Sequence, residues 1–347
     1  MKLRKTLCIL VLLALVTSSV FALVACNPDD GDPANITFVL DWAPNTNHTG
    51  LYVAKHLGYY AEEGLNVTFV QPGTTGSSAD VSVGVGQFGI DFQEQMIYNQ
   101  QSNVNVTAVA AVIQHNTSGI LVKGTVDSLA ELKGKKYATW GLAGEQSIVK
   151  HIFAENGLSV NVDGETSPSA DKVNFVPNTV ENIMAEFANP KGVDCLWSYQ
   201  AWDVKQLEVQ NVEHTFFRMS EIDRLDYYTP VIIANNDYLK NYPEQARKFI
   251  AATAKGYEYA IANPREAADI LMEENPELKV NAELVYASME FLKNEYTADA
   301  PQWGYIDQQR WDDFFALMWE LETEGMTAPI TAGYGFTNEF LPAVSAN

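Results

Sequence analysis

Cysteine, histidine and positive charge are all scarce in this chain, and each scarcity removes a class of function. Its 347 residues include three cysteines, Cys8, Cys26 and Cys195, with no Cys-x-x-Cys pair, so a dithiol redox centre lacks its residues. The five histidines, His48, His56, His115, His151 and His214, are scattered, and no two stand at metal-ligand spacing near carboxylates or cysteines. Twenty-two basic residues face 44 acidic ones for a formal charge of −22, a surface that repels nucleic acid and offers no long-range attraction to anions. A Gly-x-Ser-x-Gly elbow is absent, which leaves a covalent hydrolase without its nucleophile. One motif does match a nucleotide fingerprint, Gly84-Val85-Gly86-Gln87-Phe88-Gly89. Its order is reversed, however, with a helical stretch before it and a strand after it, so dinucleotide binding fails on context. Neither a catalytic residue, a metal ligand set nor a cofactor motif emerges.

What is present begins at the N-terminus. Lys2, Arg4 and Lys5 precede an apolar run from Leu7 to Ala25 that ends in Leu23-Val24-Ala25-Cys26. Basic start, apolar core and small residues before a cysteine match a bacterial lipoprotein signal, in which Cys26 is acylated and becomes the mature N-terminus. An uncleaved membrane anchor needs about 20 apolar residues and is the competing reading; the polar tether Asn27 to Pro33 favours processing. The expected location is the outer face of the cytoplasmic membrane. Cleavage removes three positive charges and moves the formal charge to −25, and with Cys26 acylated the mature fold stands on its core alone.

Along the mature chain, strand-like runs alternate with helical spacing, the pattern of an α/β fold with largely parallel sheets. Ile36 to Leu40, Leu65 to Val70, Phe88 to Phe92 and Val104 to Val112 read as strands of a first lobe. Near Gly119 to Lys123 the chain leaves it, and a fresh unit starts at Ser128. Tyr228 to Ala234 reads as the return strand, after which helices dominate. The expected division is a signal peptide over 1–25, a lipidated tether over 26–34, a discontinuous first lobe over 35–122 and 229–347, and an inserted second lobe over 123–228. Two crossings between lobes imply an interdomain ligand cleft with a hinge.

Aromatic, amide and carboxylate residues gather just after strands, where a parallel sheet opens its ligand crevice. Trp42, Asn45 and His48 follow the first strand, with Tyr52 one turn into the next helix, and Gln93 and Glu94 follow the third. Trp140 and Glu145 follow the first strand of the second lobe, and Trp197, Tyr199 and Asp203 another. Aromatic faces suit a flat ring, while amides and carboxyls pair with ring nitrogens and an exocyclic amine. Each residue also has a structural reading. Trp197 and Tyr52 suit a core, Asn45 suits a helix cap, and Glu94 suits a helix N-terminus.

The segment Asp41-Trp42-Ala43-Pro44-Asn45-Thr46-Asn47-His48-Thr49-Gly50-Leu51-Tyr52-Val53-Ala54, then Gly58-Tyr59-Tyr60 and Glu63-Gly64-Leu65, resembles the opening of NMT1/THI5-like proteins. Phe88-Gly89-Ile90-Asp91-Phe92-Gln93-Glu94-Gln95 resembles their next hallmark. The resemblance implies a two-lobed type II periplasmic-binding-protein fold and a role as a monomeric receptor. Such a receptor captures a thiamin-related pyrimidine and hands it to an ABC permease with its ATPase subunit. It also admits same-fold receptors for riboflavin, sulfonate or nitrate, and pyrimidine synthases, which carry a cysteine-rich iron-binding run that this chain lacks. The pyrimidine receptors have Gly-Trp-Glu where this chain has Ala201-Trp202-Asp203.

Overall fold

The computed structural model describes residues 32–343. The signal segment and the lipidation expected at Cys26 lie outside the described residues. Among the described residues the strands run β1 (Asn35–Val39), β2 (Asn66–Val70), β3 (Phe88–Asp91), β4 (Val106–Ala111), β5 (Ser118–Lys123), β6 (Lys136–Thr139), β7 (Val160–Asn161), β8 (Val173–Pro177), β9 (Cys195–Tyr199), β10 (His214–Arg218) and β11 (Val231–Asn235). They form two mixed sheets, one ordered β2-β1-β3-β11-β4 and the other β10-β5-β9-β6-β8-β7. No helix among the described residues is long and apolar enough to cross a membrane.

Composition explains which strands lie where. β11 is buried along its whole length between β3 and β4, antiparallel to both, and its Val231-Ile232-Ile233-Ala234 run is apolar without alternation because both faces are covered. The edge strand β10 is half-buried throughout and pairs with β5 alone. Thr215, Phe216 and Phe217 suit a strand, but His214 and Arg218 cut that run too short to stand out in the sequence. Pairing also places β5 in the second sheet, antiparallel to β9 and β10. Sheet membership therefore changes before Ser118, not at residues 122 and 123 as the pattern suggested. The helix expected from Thr179 begins at Ile183, where Asn182 accepts from the Ala185 N–H at 2.9 Å. This shift leaves residues 178–181 as a loop.

The fingerprint-like glycines serve packing. Gly84 sits at φ 82°, a left-handed turn residue between the helix Ser77–Ser82 and β3. A Cβ on Gly89 would collide with Ser77 and with the Val39 carbonyl, so β1, β3 and that helix pack closely only around a hydrogen.

Candidate functional site

The segment after β1 turns over a one-turn helix, Thr46–His48, that local hydrogen bonds dictate. Asn45 Oδ1 accepts from the Asn47 N–H at 2.9 Å, and His48 Nδ1 accepts from the Asn45 N–H at 3.2 Å. That acceptor role leaves the His48 proton on Nε2, which donates to Asp41 Oδ1 at 2.7 Å. The C-terminal helices hold the loop from behind. Tyr257 donates to the Asn47 carbonyl at 2.6 Å and Tyr296 to the Thr46 carbonyl at 2.7 Å, while the Thr46 and Ser288 hydroxyls lie 2.6 Å apart. With its backbone satisfied on that side, the loop leaves Trp42 66% exposed at a cleft.

This cleft has two chambers. The first, of about 580 Å³, is lined by Asp41, Trp42 and Asn45 from the first-sheet half and by Trp140, Trp197 and Asp203 from the second-sheet half. The second, of about 600 Å³, lies between the helix Gln95–Gln101 and the helix Ala143–Glu155, and contains Glu94, Tyr98 and Glu145. Phe92, Trp140, Trp197 and Tyr199 line both. The Trp140 and Trp197 ring centroids are 6.3 Å apart, with planes inclined at 55°.

Carboxyl groups give the cleft its electrostatic character. Asp41, Glu181 and Asp203 line the first chamber, Glu94 and Glu145 line the second, and among the described residues neither is lined by lysine, arginine or histidine. Burial pushes the Asp203 carboxyl up despite the 2.6 Å hydrogen bond that it accepts from Ser198. Glu145 is likewise raised by burial, though it accepts from Tyr137 at 2.9 Å and from Thr139 at 2.8 Å. Glu94 is pushed up to about 8, first by burial and then by the Asp91 charge. The Tyr199 hydroxyl is held neutral by burial and by the negative field of Glu94, Asp41, Asp203 and Glu145. The arrangement supplies flat apolar faces with neutral or negative polar groups around them, a setting for an uncharged or cationic ring and a poor one for an anion.

The model of the family described as NMT1/THI5 like matches residues 45–267. The chain belongs to this family. Relatives of this NMT1/THI5-like chain include the formylaminopyrimidine-binding protein of Halalkalibacterium halodurans, 24% identical over 89% of this chain and 92% of that protein. The riboflavin-binding protein RibY of Chloroflexus aurantiacus is 27% identical over 89% and 87% of the two chains. A 4-amino-5-hydroxymethyl-2-methylpyrimidine phosphate synthase of Saccharomyces cerevisiae is 26% identical over 72% and 74%. Among solved structures, the alkanesulfonate-binding protein SsuA from Xanthomonas axonopodis pv. citri bound to MOPS superposes with a TM-score of 0.64 at 14% identity, covering 88% of this chain and 99% of that one. The NMT1/THI5-like chain thus has the two-lobed periplasmic-binding-protein fold that its sequence led us to expect.

Of the residues singled out in the sequence, this fold gathers Trp42, Asn45, Trp140, Trp197, Tyr199 and Asp203 at the first chamber and adds Glu94 and Glu145 at the second. Three do not line the cleft. His48 is fully buried and acts on the cleft only by holding Asp41. Tyr52 packs edge-on against Phe69 in the core, at 4.8 Å between centroids. Gln93 is fully buried, donating to the Trp311 carbonyl at 2.8 Å and accepting from the Tyr228 N–H at 2.8 Å. Other lining residues escaped sequence reasoning. Asn178 directly follows β8, the same strand-end signal that marked the rest. Thr117 and Thr229 stand where the chain passes between sheets, a place that only strand pairing reveals.

Proposed function

We propose that this protein is the solute-binding component of an ABC importer and captures a thiamin-related pyrimidine by closure of two lobes built on the two sheets. It delivers this cargo to a membrane permease driven by an ATPase subunit, as a monomer held at the outer face of the cytoplasmic membrane by lipid on Cys26. The observation that carries the reading is the first chamber, with tryptophan faces, the Asp203 carboxyl and, among the described residues, no basic side chain. A 4-aminopyrimidine presents a ring nitrogen beside an amine. A carboxyl group matches that edge: one oxygen accepts from the amine and the other bonds to the ring nitrogen through a single proton, carried by either partner. The resemblance to a formylaminopyrimidine-binding protein over nearly the whole of both chains supports the same class of cargo.

Sulfonate or nitrate asks for a cation or several convergent N–H groups, and the carboxyl-lined chamber disfavours it. Riboflavin remains the principal alternative cargo, since RibY is similarly related. For a synthase, Cys195 is the sole cysteine among the described residues and is buried, with its thiol pushed well up by that burial. Thermal-shift measurements with pyrimidines, riboflavin and an alkylsulfonate test the cargo. A pyrimidine at 100 times its dissociation constant should add about 2.7 kcal/mol of stability. A shift with riboflavin alone reassigns the cargo, and turnover of candidate precursors makes the protein an enzyme. A fatty-acid label supplied to cells should become attached to the parent protein and not to Cys26→Ala; an unlabelled parent protein contradicts the lipid anchor.

A further inference from the structure

The cleft continues past its aromatic partition into a chamber that a single ring leaves unused. Each chamber alone falls within the roughly 300–1,000 Å³ typical of a drug-sized ligand site, and they meet across the shared faces of Phe92, Trp140, Trp197 and Tyr199. Three polar atoms on residues lining the second chamber are buried without a partner: Glu94 Oε2, Tyr98 Oη and Trp197 Nε1. Trp197 itself is only 5% exposed. Orphaned atoms of this kind are uncommon inside proteins, and three on residues that line one chamber leave hydrogen-bonding capacity beside it unused.

Their chemistry indicates which partner. Glu145 is already engaged by Tyr137 and Thr139, so the free acceptor is Glu94. Leu142 and Ile148 add apolar wall, and no basic side chain lines the chamber among the described residues. An anionic arm would lose water and find no counter-charge. A cationic arm finds the tryptophan faces, which attract cations through their π-systems, and the Glu94 carboxyl, whose burial-raised pKa the arm's own positive charge would lower toward the ionised form.

We infer that the second chamber receives the positively charged arm of a two-part ligand whose heteroaromatic head occupies the first chamber. This inference rests on the pyrimidine reading above and extends it from a free ring to a ring joined to a cation. Two compounds sharing one head test it: free 4-amino-5-hydroxymethyl-2-methylpyrimidine, and thiamin, which joins the same kind of pyrimidine to a cationic thiazolium. By calorimetric titration, thiamin should bind about tenfold or more tightly than the free pyrimidine. Gly144→Leu adds bulk to the lining of the second chamber, where a Cβ would already stand 3.4 Å from Tyr98 Oη. It should lower the ratio of the two affinities by about tenfold or more. Glu94→Gln, close to isosteric, should lower the ratio as well and serves if the leucine variant fails to fold. Equal affinities in the parent protein, or a ratio unchanged by the variants, overturn the second-chamber assignment and leave the pyrimidine reading standing. Binding of neither compound overturns both.

Discussion

Glu94 concentrates the physical chemistry of the cleft in one side chain. Its Oε2 is buried without a partner, and burial lifts its carboxyl from about 4.5 to about 8. Asp91, beneath it, is lifted to about 6, again chiefly by burial, despite hydrogen bonds from the Ser78 hydroxyl and, at 2.9 Å, the Phe92 N–H. Both groups bind their protons more tightly in the folded chain than in the unfolded one. Their contribution to stability is therefore fully present below the unfolded values and is lost as pH rises, through about 6 for Asp91 and about 8 for Glu94. Glu94→Gln keeps the shape and removes the titration. Its melting temperature should exceed that of the parent at pH 8, and it should vary less between pH 6 and pH 8. Coincident pH profiles of the two proteins would show that Glu94 is ionised in both states. His48 shows the complementary case, a residue chosen for its chemistry that the fold uses for position. Its two ring nitrogens are taken by Asn45 and Asp41, so it orients a cleft carboxylate and has none left for ligand.

At the scale of elements, the loop after β1 depends on how closely the helix Thr49–His56 approaches the helix Pro243–Ala262. Gly50 and Gly256 permit that approach. A Cβ on Gly50 would enter the Tyr257 ring, and one on Gly256 would meet the Gly50 carbonyl. Tyr257 is fully buried and stacks on Trp303 at 4.4 Å, so it has little room to yield. Gly50→Ala should cost about 1–3 kcal/mol, the usual range for overpacking, as read by urea denaturation. Because Tyr257 also holds the Asn47 carbonyl, the same variant should weaken ligand binding. An unchanged urea midpoint would show that the helices separate freely. This contact explains why the site was only partly legible in the sequence. Trp42, Trp140 and Asp203 are found by the strand-end rule, which depends on chain order alone, whereas Trp197 and Tyr199, expected after a strand, lie within β9. Tyr52 and Gln93 satisfy the same rule and yet face away. Which side of a short turn meets the cleft is decided by Tyr257, Tyr296 and Trp311, more than 200 residues later in the chain.

For the whole molecule, the two passages between sheets run side by side and are bonded to one another. Asp226 on the return passage accepts from the Asn116 N–H at 2.8 Å and contacts His115 Nδ1 at 2.6 Å on the outward one. Arg218 of β10 reaches Glu295, beyond the helix Ala282–Leu292, at 2.7 Å, and donates to the Asn116 carbonyl at 3.2 Å. Glu295→Gln leaves the half-buried Arg218 without its counter-ion. The expected loss is about 1–3 kcal/mol of stability, with faster hydrogen exchange at Asn116 to Ser118. Unaltered exchange there would show that this pair does not brace the two passages. The two crossings were legible in the sequence as changes of pattern, whereas the membership of β5 was not, because strand pairing leaves no local mark. The central claim concerns cargo, and calorimetric titration of the purified protein with 4-amino-5-hydroxymethyl-2-methylpyrimidine tests it most directly, with an alkylsulfonate as the competing ligand. The account expects saturable heat at one pyrimidine per chain and none with the sulfonate. Saturable binding of the sulfonate without binding of the pyrimidine would contradict it.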